Sequence, residues 1–250
     1  MPVVVRTHGG LGNQLFQIFF ARLLSECRRT HYCEIHDLNY DHQFGRSTEL
    51  TSSPLQATRL QRSLSRLRIP KLLTRSGLRK REHLQVLGNI FCDGYFQKKS
   101  DYLEFSATKI RQQIDGLRRE LNINPAAEKK TTLYHLRLGD FFANAEAARN
   151  HLSNRILDLC PGSTLITNQE ELFETPEVRE KLALNSCVLQ TTRNFKSEDV
   201  LRLMSSYQIV ITNNSTLALW ASVLGGGQTE FTDTRLAELH EYLFQQGNSL

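Results

Sequence analysis

This 250-residue chain has one tryptophan, two methionines and six prolines. None of its apolar runs approaches the roughly 18 residues that span a bilayer, so no transmembrane helix is expected. The opening MPVVVRT has no basic segment leading into a long apolar core, and so does not read as a signal peptide. The five cysteines, Cys27, Cys33, Cys92, Cys160 and Cys187, include no CxxC pair and no zinc-type spacing with histidine. That spacing gives no sign of a structural zinc site, and the odd number favours buried thiols in a reducing compartment. A cytoplasmic location is expected, with the inner face of a membrane as the variant. Internal repeats and low-complexity tracts are also lacking. Acidic residues are absent from the whole stretch between Arg59 and Arg81, which holds nine basic ones.

The sequence is otherwise that of a packed α/β protein with charge to spare. Lysine and arginine number 31 against 26 acidic residues, a net charge of +5, which points towards an anionic ligand or surface. Val3, Val4 and Val5 form a short apolar run, followed by Gly9, Gly10 and Gly12. Leu15, Phe16, Phe19, Phe20, Leu23 and Leu24 then recur at helical spacing. With a strand at 32–36, the first forty residues predict a β-α-β unit. Further strands are expected at 84–87, 90–95, 131–136, 165–167, 187–190 and 209–211. Helices are expected at 106–121, 144–159, 177–184, 197–205 and 217–224. Pro70 should divide the basic stretch into two short helices. The polar residues 122–130, with Pro125, mark a lobe boundary, giving lobes 1–125 and 126–250. Alternating strands and helices imply parallel sheets with ligands at their carboxyl ends.

Three loops lie where a strand gives way to a helix or a glycine. In RTHGGLGNQLFQ the free amides of a helix N-terminus, with the helix dipole behind them, suit an anion. No Gly-Lys-Ser/Thr follows, so this is not a P-loop. It partly matches the dinucleotide fingerprint through Gly10 and Gly12, with Glu34 or Asp37 at the acidic position, but Leu15 stands where the third glycine belongs. A plain tight turn is the alternative. In YHLRLGDFF, alternation places His135 and Arg137 on one strand face. Arg137 has the planar fork for a pyrophosphate, and Asp140 could orient Arg137 or His135, or bind a sugar hydroxyl. A strand-end ion pair is the alternative there. In IVITNNSTLALW, Asn214, Ser215 and Thr216 lie at a helix N-terminus, where they serve as caps, phosphate ligands or both.

Four segments in this order, GGLGNQLFQ, DGYFQKKSDYLE, HLRLGD and DVLRLMSSYQIVITNNSTLALWAS, resemble the α-1,2-fucosyltransferase family, glycosyltransferase family 11. The resemblance covers nearly the whole chain. It implies a GT-B-like fold, two Rossmann-type α/β lobes with parallel sheets facing a cleft. It also implies metal-independent, inverting transfer of fucose from GDP-fucose to a glycan hydroxyl, the 2-OH of galactose, in surface-polysaccharide synthesis. On that pattern the first lobe is the acceptor side and the second binds the nucleotide sugar. Arg137 holds the pyrophosphate, with Asp140 and His135 beside it as catalytic candidates and His8 as an outlying base. Gly10, Gly12, Asn13, Gln14, Asn168, Asn214, Ser215 and Thr216 serve the donor; Tyr95 and Gln97 lie on the acceptor side. No metal and no other cofactor is expected.

The chain departs from the pattern at three places. Leu138 replaces a second arginine, Asn168 and Gln169 replace an acidic pair, and Leu219 replaces a tryptophan. The basic stretch reads as a solvated face or as a docking surface for an anionic leaflet. Nucleic acid is disfavoured because no aromatic residue is interleaved to stack on bases. The rival functions are a nicotinamide-dependent oxidoreductase and a non-catalytic nucleotide-sugar or glycan binder.

Overall fold

The computed structural model describes residues 1–36, 57–66, 83–86, 88–136, 159–167, 169–173 and 175–248. The chain divides into two compact units, Met1–Gly116 and Leu117–Leu250. Both are α/β and both are built on a sheet of parallel or mainly parallel strands, as the alternation of strand and helix signals predicts.

The first unit begins with β1 (Val3–Thr7), α1 (Leu11–Cys27) and β2 (Tyr32–His36), the expected β-α-β unit. It continues with α2 (Arg59–Arg66), β3 (His83–Val86), β4 (Asn89–Cys92), a 3-10 turn at Lys99–Asp101 and α3 (Ala107–Glu120), which runs into the second unit. Strand order is β2-β1-β4-β3. β1 runs parallel to β2 and β4, and β3 runs antiparallel to β4.

α1 explains why this unit holds together. Only Asn13, Glu26 and Cys27 of its residues escape burial. A helix apolar on every side belongs inside a core. Phe16 and Phe19 are fully buried, each contributing about 1.5–3 kcal/mol by area. Phe20 stacks on Phe96, centroids 4.0 Å apart and rings 3° from parallel.

The second unit contains β5 (Lys130–His135), β6 (Thr164–Thr167), a 3-10 turn at Glu170–Phe173, α4 (Pro176–Leu184), β7 (Val188–Thr191) and α5 (Ser197–Ser205). It ends with β8 (Tyr207–Thr212), α6 (Thr216–Gly225), β9 (Gln228–Glu230) and α7 (Thr234–Asn248). The order is β7-β6-β5-β8-β9 with every pair parallel. Counted along this unit that is 3-2-1-4-5, so the winding reverses between β5 and β8. Tyr134, Leu136, Leu159, Leu165, Phe173, Val178 and Leu182 pack as one core cluster. Leu219 and Trp220 of α6 are fully buried, so both are packing residues.

Two cations close the carboxyl ends of the helices. The Arg118 guanidinium donates to the carbonyls of Val223 and Leu224 at 3.0 and 2.9 Å, and to Gly247 O and Asn248 Oδ1 at 3.4 and 2.8 Å. It thereby satisfies orphan acceptors of α6 and α7 together. Lys129 Nζ donates to Ser205 O and Gly225 O. Burial, and then the charge of Arg118, lower its pKa. Gly226 takes the left-handed conformation, φ +78°, that ends α6.

Several boundaries differ from those expected. The strand predicted at 90–95 stops at Cys92, because the chain turns away and Phe96 adopts φ +50°. β9 and α7 were not anticipated. β9 is a three-residue edge strand with an exposed–intermediate–exposed pattern, too short to show alternation. α7 does carry a helical signal, since Leu236, Leu239, His240 and Leu243 are its buried face. The helix predicted at 144–159 lies outside the described residues apart from Leu159, which is not helical. The segment containing Pro70 also lies outside them. Among the described residues no helix is long and apolar enough to cross a membrane.

Candidate functional site

In the first unit the reversal of winding falls between β1 and β4, and the polar residues of the opening motif gather at the carboxyl ends of those strands. His8 follows β1 and is fully buried. Gln17 Oε1 accepts from the His8 backbone N–H at 3.0 Å, so its amide nitrogen faces His8 Nδ1, 3.2 Å away. Nδ1 is therefore the acceptor, and the neutral ring carries its proton on Nε2.

The glycine turn works differently from the fingerprint. Gly9 has φ +84°, and a Cβ there would stand 2.9 Å from Asn13 Nδ2. Gly10 is the N-cap of α1 with φ −69°, and a Cβ there would meet nothing within 4 Å. Gly12 lies inside the first turn of the helix, and Leu15 is fully buried. Gly9 is thus the glycine that the backbone requires, although the spacing singles out Gly10 and Gly12.

Gln14 is also fully buried, and its Nε2 donates to Gly9 O at 2.7 Å. Its Oε1 has no hydrogen-bond partner among the described residues. Asn13 is the only residue in the first three turns of α1 that is not buried. Its Oδ1 accepts from Gln97 Nε2 at 2.9 Å, and the Tyr95 ring lies 4.9 Å from that of His8. Residues expected to serve donor and acceptor separately therefore share one polar cluster. Between them Phe96 is pinned by its stack on Phe20 and by the Tyr102 hydroxyl, which donates to its carbonyl at 2.7 Å. A bulky residue at positive φ is strained. Here it turns inward while Tyr95 and Gln97 remain half-buried at the edge.

In the second unit the reversal lies between β5 and β8. Their last residues, His135 and Thr212, are cross-strand partners, and Thr212 Oγ1 donates to His135 O at 3.1 Å. The TNNST loop follows β8, and of the HLRLGD motif only His135 and Leu136 belong to the described residues. Asn214 adopts φ +67°, and its Oδ1 accepts from Thr232 Oγ1 and Asp233 N at 2.9 and 2.7 Å. Ser215 caps α6, its Oγ accepting from Ala218 N at 3.3 Å, and Thr216 opens the helix. The capping role is thus realised, and the positive end of the α6 dipole lies at the same loop. Thr232 and Asp233 are neighbours of this loop that spacing alone does not reveal. Arg137, Asp140 and Asn168 lie outside the described residues, as does Asp37. Glu34 sits in the middle of β2, opposite Val5, away from the strand end. Among the described residues no three metal-ligating side chains come together.

No family model and no curated protein matches this sequence. Solved structures with a similar chain course include a point mutant of Arabidopsis thaliana FUT1 in complex with GDP. It has 11% identity over 92% of this chain and 69% of that one, with a TM-score of 0.49. Another is the NodZ α-1,6-fucosyltransferase co-crystallized with GDP, with 13% identity, 89% and 92% coverage and a TM-score of 0.40. A third is POFUT1 in complex with GDP, with 10% identity, 92% and 97% coverage and a TM-score of 0.38. Likeness of this degree decides neither family nor chemistry.

Proposed function

We propose that the chain is a GDP-fucose-dependent glycosyltransferase of GT-B type that transfers fucose to a glycan hydroxyl, with inversion and an α-1,2 linkage. The observation that carries the reading is the reversal of winding between β5 and β8. Doubly wound sheets bind ligands at this place, and the strands that precede two of the three loops suited to a nucleotide diphosphate end there. The family resemblance supplies the donor sugar and the linkage.

In this reading an acceptor hydroxyl attacks the anomeric carbon opposite the departing GDP, through an oxocarbenium-like transition state. The protein's main contribution is to stabilise charge on the leaving phosphate. Arg137 supplies a fork for the diphosphate, and the positive end of the α6 dipole favours its charge. Asp140 and His135 are the candidates to take the acceptor proton. No metal is needed for these steps, and turnover in the presence of a chelator is the expected result.

Calorimetric titration of the purified protein, without metal, against GDP, GDP-fucose, UDP and NAD tests the reading. GDP and GDP-fucose should bind, and Arg137→Ala should lose that binding. Binding of NAD instead would make the opening motif a dinucleotide site. Binding of GDP-fucose without transfer to any galactoside would favour a non-catalytic binder.

A peripheral membrane contact is a second reading, favoured by α2. Gln61 anchors this helix, donating to Asn89 Oδ1 at 2.8 Å and accepting from Thr58 N at 2.8 Å. Arg59, Leu60 and Arg62 are left outward, with Leu60 56% exposed. Flotation with anionic vesicles at low salt should carry the protein upward, and neutral vesicles should not.

A further inference from the structure

The five cysteines differ in what their surroundings allow. Cys33 is buried, and its thiol is pushed up to about 11 by burial and then by Glu34. Cys92 is buried as well, and burial followed by Asp93 raises it further. Thiols so placed are inert. Cys27 is exposed at the end of α1, where Lys109 Nζ lies 3.3 Å from its sulfur. The remaining two, Cys160 and Cys187, share one corner of the second unit.

Hydrogen bonds define that corner. Ser163 N donates to Cys160 O at 3.2 Å, which folds Cys160 back over the turn before β6. Gly162 N donates to Asn185 O at 2.9 Å and Val188 N to Ser163 O at 3.0 Å, so the turn lies against the chain entering β7. Cys187 Sγ is consequently 3.6 Å from Cys160 O and 3.2 Å from Ser163 Oγ. Cys160 is exposed and Cys187 half-buried. On the other side the Tyr134 hydroxyl donates to Cys160 Sγ at 3.3 Å and accepts from Cys160 N at 3.1 Å. Burial, and then the bond to Cys160, push that hydroxyl up to about 12, so it stays protonated and remains a donor to sulfur.

We propose that Cys160 and Cys187 are an oxidisable dithiol, a modification site that takes hydroperoxides and closes to an intramolecular disulfide. The exposed Cys160 thiolate attacks the peroxide O–O bond, becoming a sulfenic acid as an alcohol or water departs. Rotation about χ1 of Cys160 exchanges its contact with Tyr134 for one with Cys187. The Cys187 sulfur then attacks the sulfenic sulfur. The S–S bond forms, and the hydroxyl leaves as water with the second thiol's proton. Two thiols and one hydroperoxide yield one disulfide, one alcohol and one water; the thiols lose the two electrons that the peroxide gains. An exposed thiol beside a resolving partner is the arrangement that such chemistry needs. Tyr134 directly precedes His135 on β5, so the rotation releases a bond on the strand that ends at the reversal point. The inference holds whichever ligand the second unit takes.

The test uses the full chain in a Cys27→Ser background, titrated with hydrogen peroxide, with thiols counted after denaturation and peptides mapped by mass. Two thiols should disappear for each peroxide consumed. A Cys160–Cys187 peptide pair should appear, lighter by two hydrogens, and dithiothreitol should restore both thiols. Cys187→Ser should leave Cys160 as a sulfenic acid that dimedone traps, and Cys160→Ser should lose no thiols. Melting curves establish that each variant is folded, and mapping of the parent chain stands without either variant. Sulfinic acid at Cys160 without a cross-link, disulfides only between chains, or undiminished thiol loss in Cys160→Ser would each overturn the proposal.

Discussion

Thr212 Oγ1 donates to the backbone carbonyl of His135, and the same two residues are paired across β8 and β5. The bond ties together the two strand ends from which the HLRLGD and TNNST loops depart. Thr212→Val keeps the β-branched shape and deletes the bond. It should cost about 1 kcal/mol of stability and weaken GDP binding in the same variant. Thermal unfolding and calorimetry read the two effects; a variant that melts and binds like the parent would show the bond to be idle.

Gly9 and Gly10 are adjacent but differ in what they tolerate. Gly9→Ala places a Cβ at φ +84° and against the Asn13 amide. The left-handed conformation alone costs an L-residue about 1–2 kcal/mol, and the displaced Asn13 should lose Gln97. Gly10→Ala meets no neighbour and needs no unusual φ, so its melting temperature should stay close to the parent's. Equal losses at both positions would contradict the backbone described for this turn.

Asn214 combines a left-handed backbone with two accepted hydrogen bonds. Asn214→Gly keeps the conformation and loses the bonds, whereas Asn214→Ala loses both. Alanine should therefore destabilise more than glycine, by about 1 kcal/mol or more. Denaturant midpoints of the two variants decide the order, and alanine equal to or better than glycine would count against strain at this position.

His240 is buried in α7 with ring centroids 5.7 Å from both Phe231 and Phe244. Its Nε2 lacks a hydrogen-bond partner among the described residues. Burial lowers its pKa from 6.5 to about 4. The unfolded chain therefore binds a proton here before the folded one does. Stability should be full above about pH 6.5 and fall as pH drops towards 4, by at most on the order of 3 kcal/mol. Urea unfolding between pH 7 and 4.5 measures the slope, and His240→Leu should flatten it.

The opening β-α-β unit was legible because apolar run, glycine turn and helical periodicity agree between Val3 and Leu24. The TNNST loop was legible because a strand signal meets a cap signal there. What escaped the sequence depends on partners far apart along it. Asn13 meets Gln97 across 84 positions, and Asn214 meets Thr232 across 18; no local pattern records such meetings. The need for glycine at Gly9 rather than Gly10 comes from one backbone angle, which spacing does not encode. The strain at Phe96 arises from a stack on Phe20 that only the folded unit creates. β9 has only three residues, with its two ends exposed.

The Arg118 clamp has a consequence for how the second unit is completed. Its bond to Asn248 joins residues 130 positions apart, near the two extremes of that unit. A contact of such span forms only after the intervening chain has been gathered in. During synthesis, Arg118 can meet the α6 carbonyls before α7 is made, but its bonds to Gly247 and Asn248 must wait until those residues have left the ribosome. The carboxyl end of α7 is in this sense a latch, closed last and from the opposite end of its own unit.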